Sequence, residues 1–134
     1  MIRRAIATTL RRLAIRGEFL RIEGDSMSPT LTSGEVVFVR RRAYRSRMPR
    51  RGDVVVARPS ALGRRRMIKR VIGLPNDRIS LGGRSWQLGD DEFFLLGDRA
   101  SESTDSRSFG PVRREELLGP AVRVMRPWRA RSPA

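Results

Sequence analysis

One lysine, Lys69, stands among 28 arginines in a 134-residue chain that has no histidine and no cysteine. An arginine guanidinium stays protonated in a protein, whereas a buried lysine can become a neutral amine and accept a proton. Without histidine, the commonest general base and the commonest metal ligand are both missing. Without cysteine, disulfides, thiolate metal sites and cysteine nucleophiles are excluded. Acid–base chemistry is left to carboxylates, Tyr44, Lys69 or a chain terminus. The candidate nucleophile is Ser26, in the turn-rich stretch Gly24-Asp25-Ser26-Met27-Ser28-Pro29. A serine hydroxyl attacks only when a base takes its proton, and serine–lysine pairs are one variant of triad chemistry. Taken singly, Ser26 reads as an ordinary turn serine and Lys69 as an edge-strand lysine reaching to water. Taken together they form a candidate nucleophile and general base, provided burial lowers the lysine pKa by disfavouring its charged form.

The elements around them must supply that burial. Lys69 sits in Met67-Ile68-Lys69-Arg70-Val71-Ile72. Strand alternation puts Met67, Lys69 and Val71 on one face and Ile68, Arg70 and Ile72 on the other. Residues 19–22, 35–39, 54–57, 67–72, 93–96 and 121–125 read as strands. Residues 78–81 and 85–88 bracket Gly82-Gly83 as a hairpin. Residues 40–51 read as a basic exposed loop, a long polar loop runs to Gly110, and 115–118 read as one helical turn. The chain is expected to be mostly β, with length for a single modest core.

Residues 1–16 contain no acid. Ile2, Ile6, Leu10 and Leu13 recur at spacings of four, four and three, which predicts a short basic amphipathic helix of the kind that lies on a membrane interface. The expected organisation is this helix over 1–16, a catalytic domain over 17–126 and a loose basic tail over 127–134. No apolar run approaches the ~20 residues that span a bilayer. The net charge of +15 favours anionic partners. Few aromatics and no stacking platform argue against nucleic acid and for an anionic membrane surface.

Four segments stand out together: Gly24 to Leu31, Arg51-Gly52-Asp53-Val54-Val55-Val56, Ile68-Lys69-Arg70-Val71-Ile72-Gly73-Leu74-Pro75, and the run from Gly97-Asp98-Arg99-Ala100 through Ser103, Asp105, Ser106 and Arg107 to Gly110. Their order and spacing resemble the signal peptidase I family over about two thirds of the chain. The resemblance implies a coiled antiparallel β-sheet core, shared with LexA-like repressors, here with a short N-terminal helix. It implies Ser26 as nucleophile, Lys69 as general base and the Ser26 N–H as oxyanion donor. Gly24 replaces a hydroxyl that some relatives place two residues before the nucleophile, and Met27 packs near it. Ser103 matches the residue that orients the lysine amine, and Asp105 and Arg107 match a supporting ion pair beside Ser106. Arg99-Ala100 departs from the usual Asn-Arg after Gly-Asp.

The implied activity is a serine endopeptidase that cuts signal or leader peptides after small residues, acting on a precursor protein or peptide. No metal or organic cofactor is expected. The expected location is the membrane surface, through the basic helix, with the cytoplasm as the alternative. Three other readings compete. A soluble relative would mature one specific precursor, such as that of nickel superoxide dismutase. A self-cleaving LexA-like repressor would need a DNA-binding domain, for which the 25 residues before Ser26 are too few. A non-catalytic basic nucleic-acid-binding domain would tolerate loss of Lys69.

Overall fold

The computed structural model describes the backbone of residues 6–13 and 16–125, with side chains over 16–124. Among the described residues ten strands carry the fold: β1 (Ile6–Leu13), β2 (Gly17–Ile22), β3 (Val36–Arg40), β4 (Val54–Ala57), β5 (Met67–Gly73), β6 (Arg78–Leu81), β7 (Arg84–Gln87), β8 (Glu92–Leu96), β9 (Val112–Arg113) and β10 (Leu117–Met125). Eight form one antiparallel sheet in the order β1-β2-β3-β10-β4-β5-β8-β9, and β6 and β7 form a separate hairpin. Among the described residues two short α-helices interrupt the strands, α1 (Ala43–Ser46) and α2 (Ser106–Phe109), beside three single 3-10 turns. Among the described residues no helix is long and apolar enough to cross a membrane.

The mostly β reading is borne out. The helix expected near the N-terminus is not: residues 6–13 are a strand, antiparallel to β2, with Thr9 opposite Leu20 and Leu13 opposite Gly17. A spacing of four residues fits the strand period of two as well as the helical period. Ile6, Thr8 and Thr9 are β-branched and lose rotamer freedom in a helix, and β2 offers an edge of unpaired backbone groups. Residues 1–5 and the expected tail over 127–134 lie outside the described residues. Residues 40–51 are also less open than expected, because α1 buries Tyr44 and its hydroxyl donates to Asp53 Oδ2 at 2.8 Å.

Consecutive residues of β4 and β5 are buried, so the curled sheet is covered on both faces. Val56 and Ile68 join one cluster with Leu20, Ile22, Met27 and Leu31. Val55, Met67 and Val71 join a second with Phe93, Leu95 and Val112. This explains why β4 reads as an unbroken apolar run rather than an alternating one. The β6–β7 hairpin docks on the sheet through Trp86, whose ring centroid lies 4.7 Å from that of Phe94.

Strand β10 holds the two halves together. It pairs with β4 at Leu117, Gly119 and Pro120, then with β3 from Ala121 onward. At the switch, a Cβ on Gly119 would lie 2.0 Å from the Arg40 carbonyl oxygen. Gly119→Ala must therefore push β3 and β10 apart and is expected to lower unfolding free energy by about 1–3 kcal/mol, read from urea denaturation.

Candidate active site

Ser26 leaves the end of β2 in a tight turn. Gly24 has a φ of 90°, a conformation glycine adopts without strain. The Ser28 N–H donates to the Asp25 carbonyl at 3.0 Å, and the Leu31 N–H to that of Met27 at 2.9 Å. Met27 and Leu31 are sunk in the first cluster and anchor the turn from below. Met27 is 1% exposed, so it is a core residue beneath the Ser26 turn. Asp25 is exposed and Ser26 half-buried. The Ser26 N–H has no hydrogen-bond partner among the described residues.

The turn is tied to the 97–107 segment at two points. The Arg99 N–H donates to the Ser26 carbonyl at 2.8 Å, and the Thr30 hydroxyl donates to Asp98 Oδ2 at 2.6 Å. Gly97 lets the chains meet: a Cβ there would lie 2.2 Å from Ser103 Oγ and 2.7 Å from the Ser26 carbonyl oxygen. The serine turn and the Ser103 hydroxyl are thus neighbours across one glycine.

Lys69 lies mid-strand in β5, opposite Val55 of β4, and only 4% of it is exposed. Burial pushes its pKa down from 10.5 to about 8; attraction to Asp105 works against this and repulsion from Arg107 with it. The expected alternation holds in the strand's packing, with Met67 and Val71 in the second cluster and Ile68 in the first.

Asp105 is fully buried. Its Oδ2 accepts from Gly97 N–H at 3.1 Å, Ser103 Oγ at 2.9 Å and Arg107 Nη2 at 2.8 Å. Its Oδ1 accepts from the backbone N–H and Nε of Arg107 at 3.1 and 2.8 Å, capping α2. Burial alone would raise its pKa, but the donors of Arg107, Gly97 and Ser103 outweigh that and hold it below the ordinary carboxylate range. Ser106 is buried too, and its hydroxyl accepts the Leu95 N–H at 2.9 Å. From the hairpin, Arg84 Nη1 donates to the Arg107 carbonyl at 2.8 Å. The Arg99-Ala100 departure leaves this network whole: Ala100 contributes its carbonyl, which accepts from Arg107 Nη2 at 3.0 Å.

Arg70 and Asp98 escaped the sequence reading of the site. Arg70 Nε and Nη2 grip the Asp98 carboxylate at 2.9 and 2.8 Å, and Nη1 donates to the Gly52 carbonyl at 2.8 Å. Hydrogen bonds from Arg70 and then Thr30 hold the Asp98 pKa low against partial burial. Three of the four sequence segments therefore meet at one carboxylate. The signal was present in strand alternation, which sets Arg70 back to back with Lys69.

A family model described as signal peptidase, peptidase S26, matches residues 2–85 and 80–128. The chain belongs to this family. It is 35% identical over 128 residues to the probable signal peptidase I-2 of Synechocystis sp., a match covering 75% of this chain and 59% of that one. It is 32% identical to the signal peptidase I of Leptolyngbya laminosa, over 75% of this chain and 64% of that one. It is 34% identical to the mitochondrial inner membrane protease subunit 2 of Danio rerio, over 90% of this chain and 68% of that one. The chain spans about three fifths of the length of the first two relatives.

A single lysine makes the buried amine directly observable. In a sample with isotopically labelled lysine, the one side-chain signal is expected to titrate with a midpoint of about 8 rather than 10.5. Asp105→Asn removes the carboxylate that raises this pKa and leaves the Arg107 cation that lowers it, so the midpoint should fall further. A wild-type midpoint near 10.5 would show a solvated ammonium and no base.

Proposed function

We propose that the chain is a serine endopeptidase that cleaves signal or leader peptides, with Ser26 as nucleophile and Lys69 as general base. The observation that carries this reading is the buried Lys69 amine with its pKa lowered to about 8, in a chain without histidine. In the neutral form its Nζ takes the Ser26 hydroxyl proton as Oγ attacks the scissile carbonyl. The Ser26 N–H donates to the developing oxyanion. The resulting lysine ammonium then protonates the leaving amine. Water, deprotonated by the same amine, releases the acyl group from Ser26. Ser103 orients the lysine, and Asp105 and Arg107 hold Ser103 in place. The four donors on the Asp98 carboxylate and Ser26 carbonyl keep the nucleophile turn in register with the base.

The substrate is a precursor with small residues at the first and third positions before the cut, as the family resemblance implies. We assign its place of action to an anionic membrane surface. Support comes from relatives named as inner membrane proteases and from the charge of +15, which draws the protein to anionic lipid. The helix expected to mediate this attraction is a strand over 6–13, so the attraction is carried by basic charge outside any interfacial helix.

The test is cleavage of a precursor carrying a signal peptide. The wild-type kcat/KM should rise with pH through about 8 as the amine loses its proton. Ser26→Ala, Lys69→Ala and Lys69→Arg should each cost about 10⁴-fold or more with the fold intact, since a guanidinium cannot accept the proton. Retained activity in Lys69→Arg sinks the serine–lysine mechanism.

A further inference from the structure

Among the described residues a cleft opens whose lining does not include Ser26. It has a volume of about 920 Å³ and is lined where β2 begins, after β3 ends, and along the β4–β5 loop and the start of β10. Strand β2 runs from Gly17, in its wall, to Ile22 and on toward Ser26, roughly 17 Å of extended chain at ~3.3 Å per residue. Seven of the thirteen lining residues are arginines, against two carboxylates, Asp91 and Glu115.

Most of these cations are uncommitted. Among the described residues Arg16, Arg42, Arg45 and Arg64 make no side-chain hydrogen bond or ion pair, and Arg58 spends only its Nε, on the Arg64 carbonyl at 3.3 Å. Arg41 stands 3.9 Å from Glu18, and Arg114 is turned to the carbonyls of Tyr44 and Arg47. Like charges gathered in a concave wall repel one another, and the field in the cleft concentrates anions.

The backbone makes a second, independent point. Only four non-glycine residues among those described have positive φ, and three of them line this cleft: Arg16 at 53°, Arg42 at 68° and Arg64 at 59°. The left-handed region is unfavourable for a side chain that cannot bond its own backbone as asparagine does. Glycine would fit each position without that cost. Strained conformations of this kind gather where function holds them, and what these three have in common is a guanidinium at the rim of one cleft.

We propose that this cleft binds a phosphate-bearing anion with more than one negative charge, away from the peptidase site. Guanidinium forks match phosphate oxygens in bidentate geometry, and the volume exceeds the needs of a single phosphate, fitting a diphosphate or a phospholipid headgroup.

The experiment is calorimetric titration of the full chain with inorganic pyrophosphate, beside flotation with phosphatidylcholine vesicles with and without phosphatidylglycerol. Pyrophosphate is expected to bind wild type and to lose at least tenfold in affinity in Arg16→Gly/Arg42→Gly/Arg64→Gly, whose thermal unfolding should stay close to wild type. Arg42→Gln/Arg45→Gln/Arg64→Gln, which alters exposed side chains only, repeats the test should the glycine variant fold poorly. Arg21→Gln/Arg78→Gln/Arg99→Gln removes the same charge from exposed positions outside the cleft and should bind as wild type does. Vesicle binding that needs phosphatidylglycerol, is lost in the cleft variants and is displaced by pyrophosphate identifies a lipid headgroup as the source. Pyrophosphate binding without such vesicle binding identifies a soluble anion. Three results overturn the assignment: no measurable pyrophosphate binding, equal weakening in cleft and control variants, or hexaglutamate binding as tightly as pyrophosphate.

Discussion

A carboxylate removed from water stays ionised only where donors replace its hydration, and Asp105 collects five of them on two oxygens. They come from Gly97, Ser103 and Arg107, so one buried charge ties the end of β8 to the loop beyond it and to α2. Everything near Ser26 leans on that arrangement. Gly97 must sit where the Ser26 carbonyl and Ser103 hydroxyl close in on it, and the 97–99 backbone receives the serine turn through the Arg99 N–H. The Arg84 contact from the hairpin and the Ser106 hydroxyl on Leu95 brace the same loop from either side. Breaking one partner of such a network leaves others buried and unpaired, which costs more than the single bond lost.

The second constraint is the two-sided burial of β4 and β5. A strand covered on one face only would let a lysine reach water from the other. Here Lys69 has packed strands on each side and apolar clusters on both faces of its sheet. Desolvation therefore acts on the amine itself. Asp105 limits the shift, because its negative charge favours the ammonium, and Arg107 offsets Asp105. The pKa of about 8 is the balance of one desolvation effect and two opposed charges, and it leaves the amine within reach of its neutral form near physiological pH.

On the opposite face of β5, Arg70 keeps its charge and uses it. Its planar fork spans both Asp98 oxygens while its remaining nitrogen reaches Gly52. Adjacent residues on one strand thus divide the roles: Lys69 is dry and loses its charge readily, Arg70 is half-exposed, paired and permanently charged. The same contrast separates the Ser26–Lys69 region from the arginine cleft at the other end of the sheet, where, among the described residues, Arg16, Arg42, Arg45 and Arg64 make no ion pair and only Arg41 stands near a carboxylate.

Much of this was legible in residue types and spacing. A single lysine in a chain without histidine, a serine in a turn and apolar neighbours at alternate positions indicated a candidate base, a candidate nucleophile and the strand that buries Lys69. Strand positions in the core were legible too, because apolar β-branched runs have few other uses. What could not be read were features that depend on which elements become neighbours. A spacing of four fits helix and strand alike, and the free edge of β2 decided for the strand over 6–13. Residues 40–51 read as a loop, since the pairing of Tyr44 with Asp53 appears only when the chain folds back. Only the family resemblance marked Asp105 and Arg107 as a supporting ion pair, because spacing alone makes two charges in a loop a solvated pair of little worth; full burial of the carboxylate, among β8 and the Ser103 loop, is what gives the pair its strength. Residue chemistry is local and survives in a list of letters, whereas desolvation and convergence are properties of the space between segments, which only the folded sheet creates.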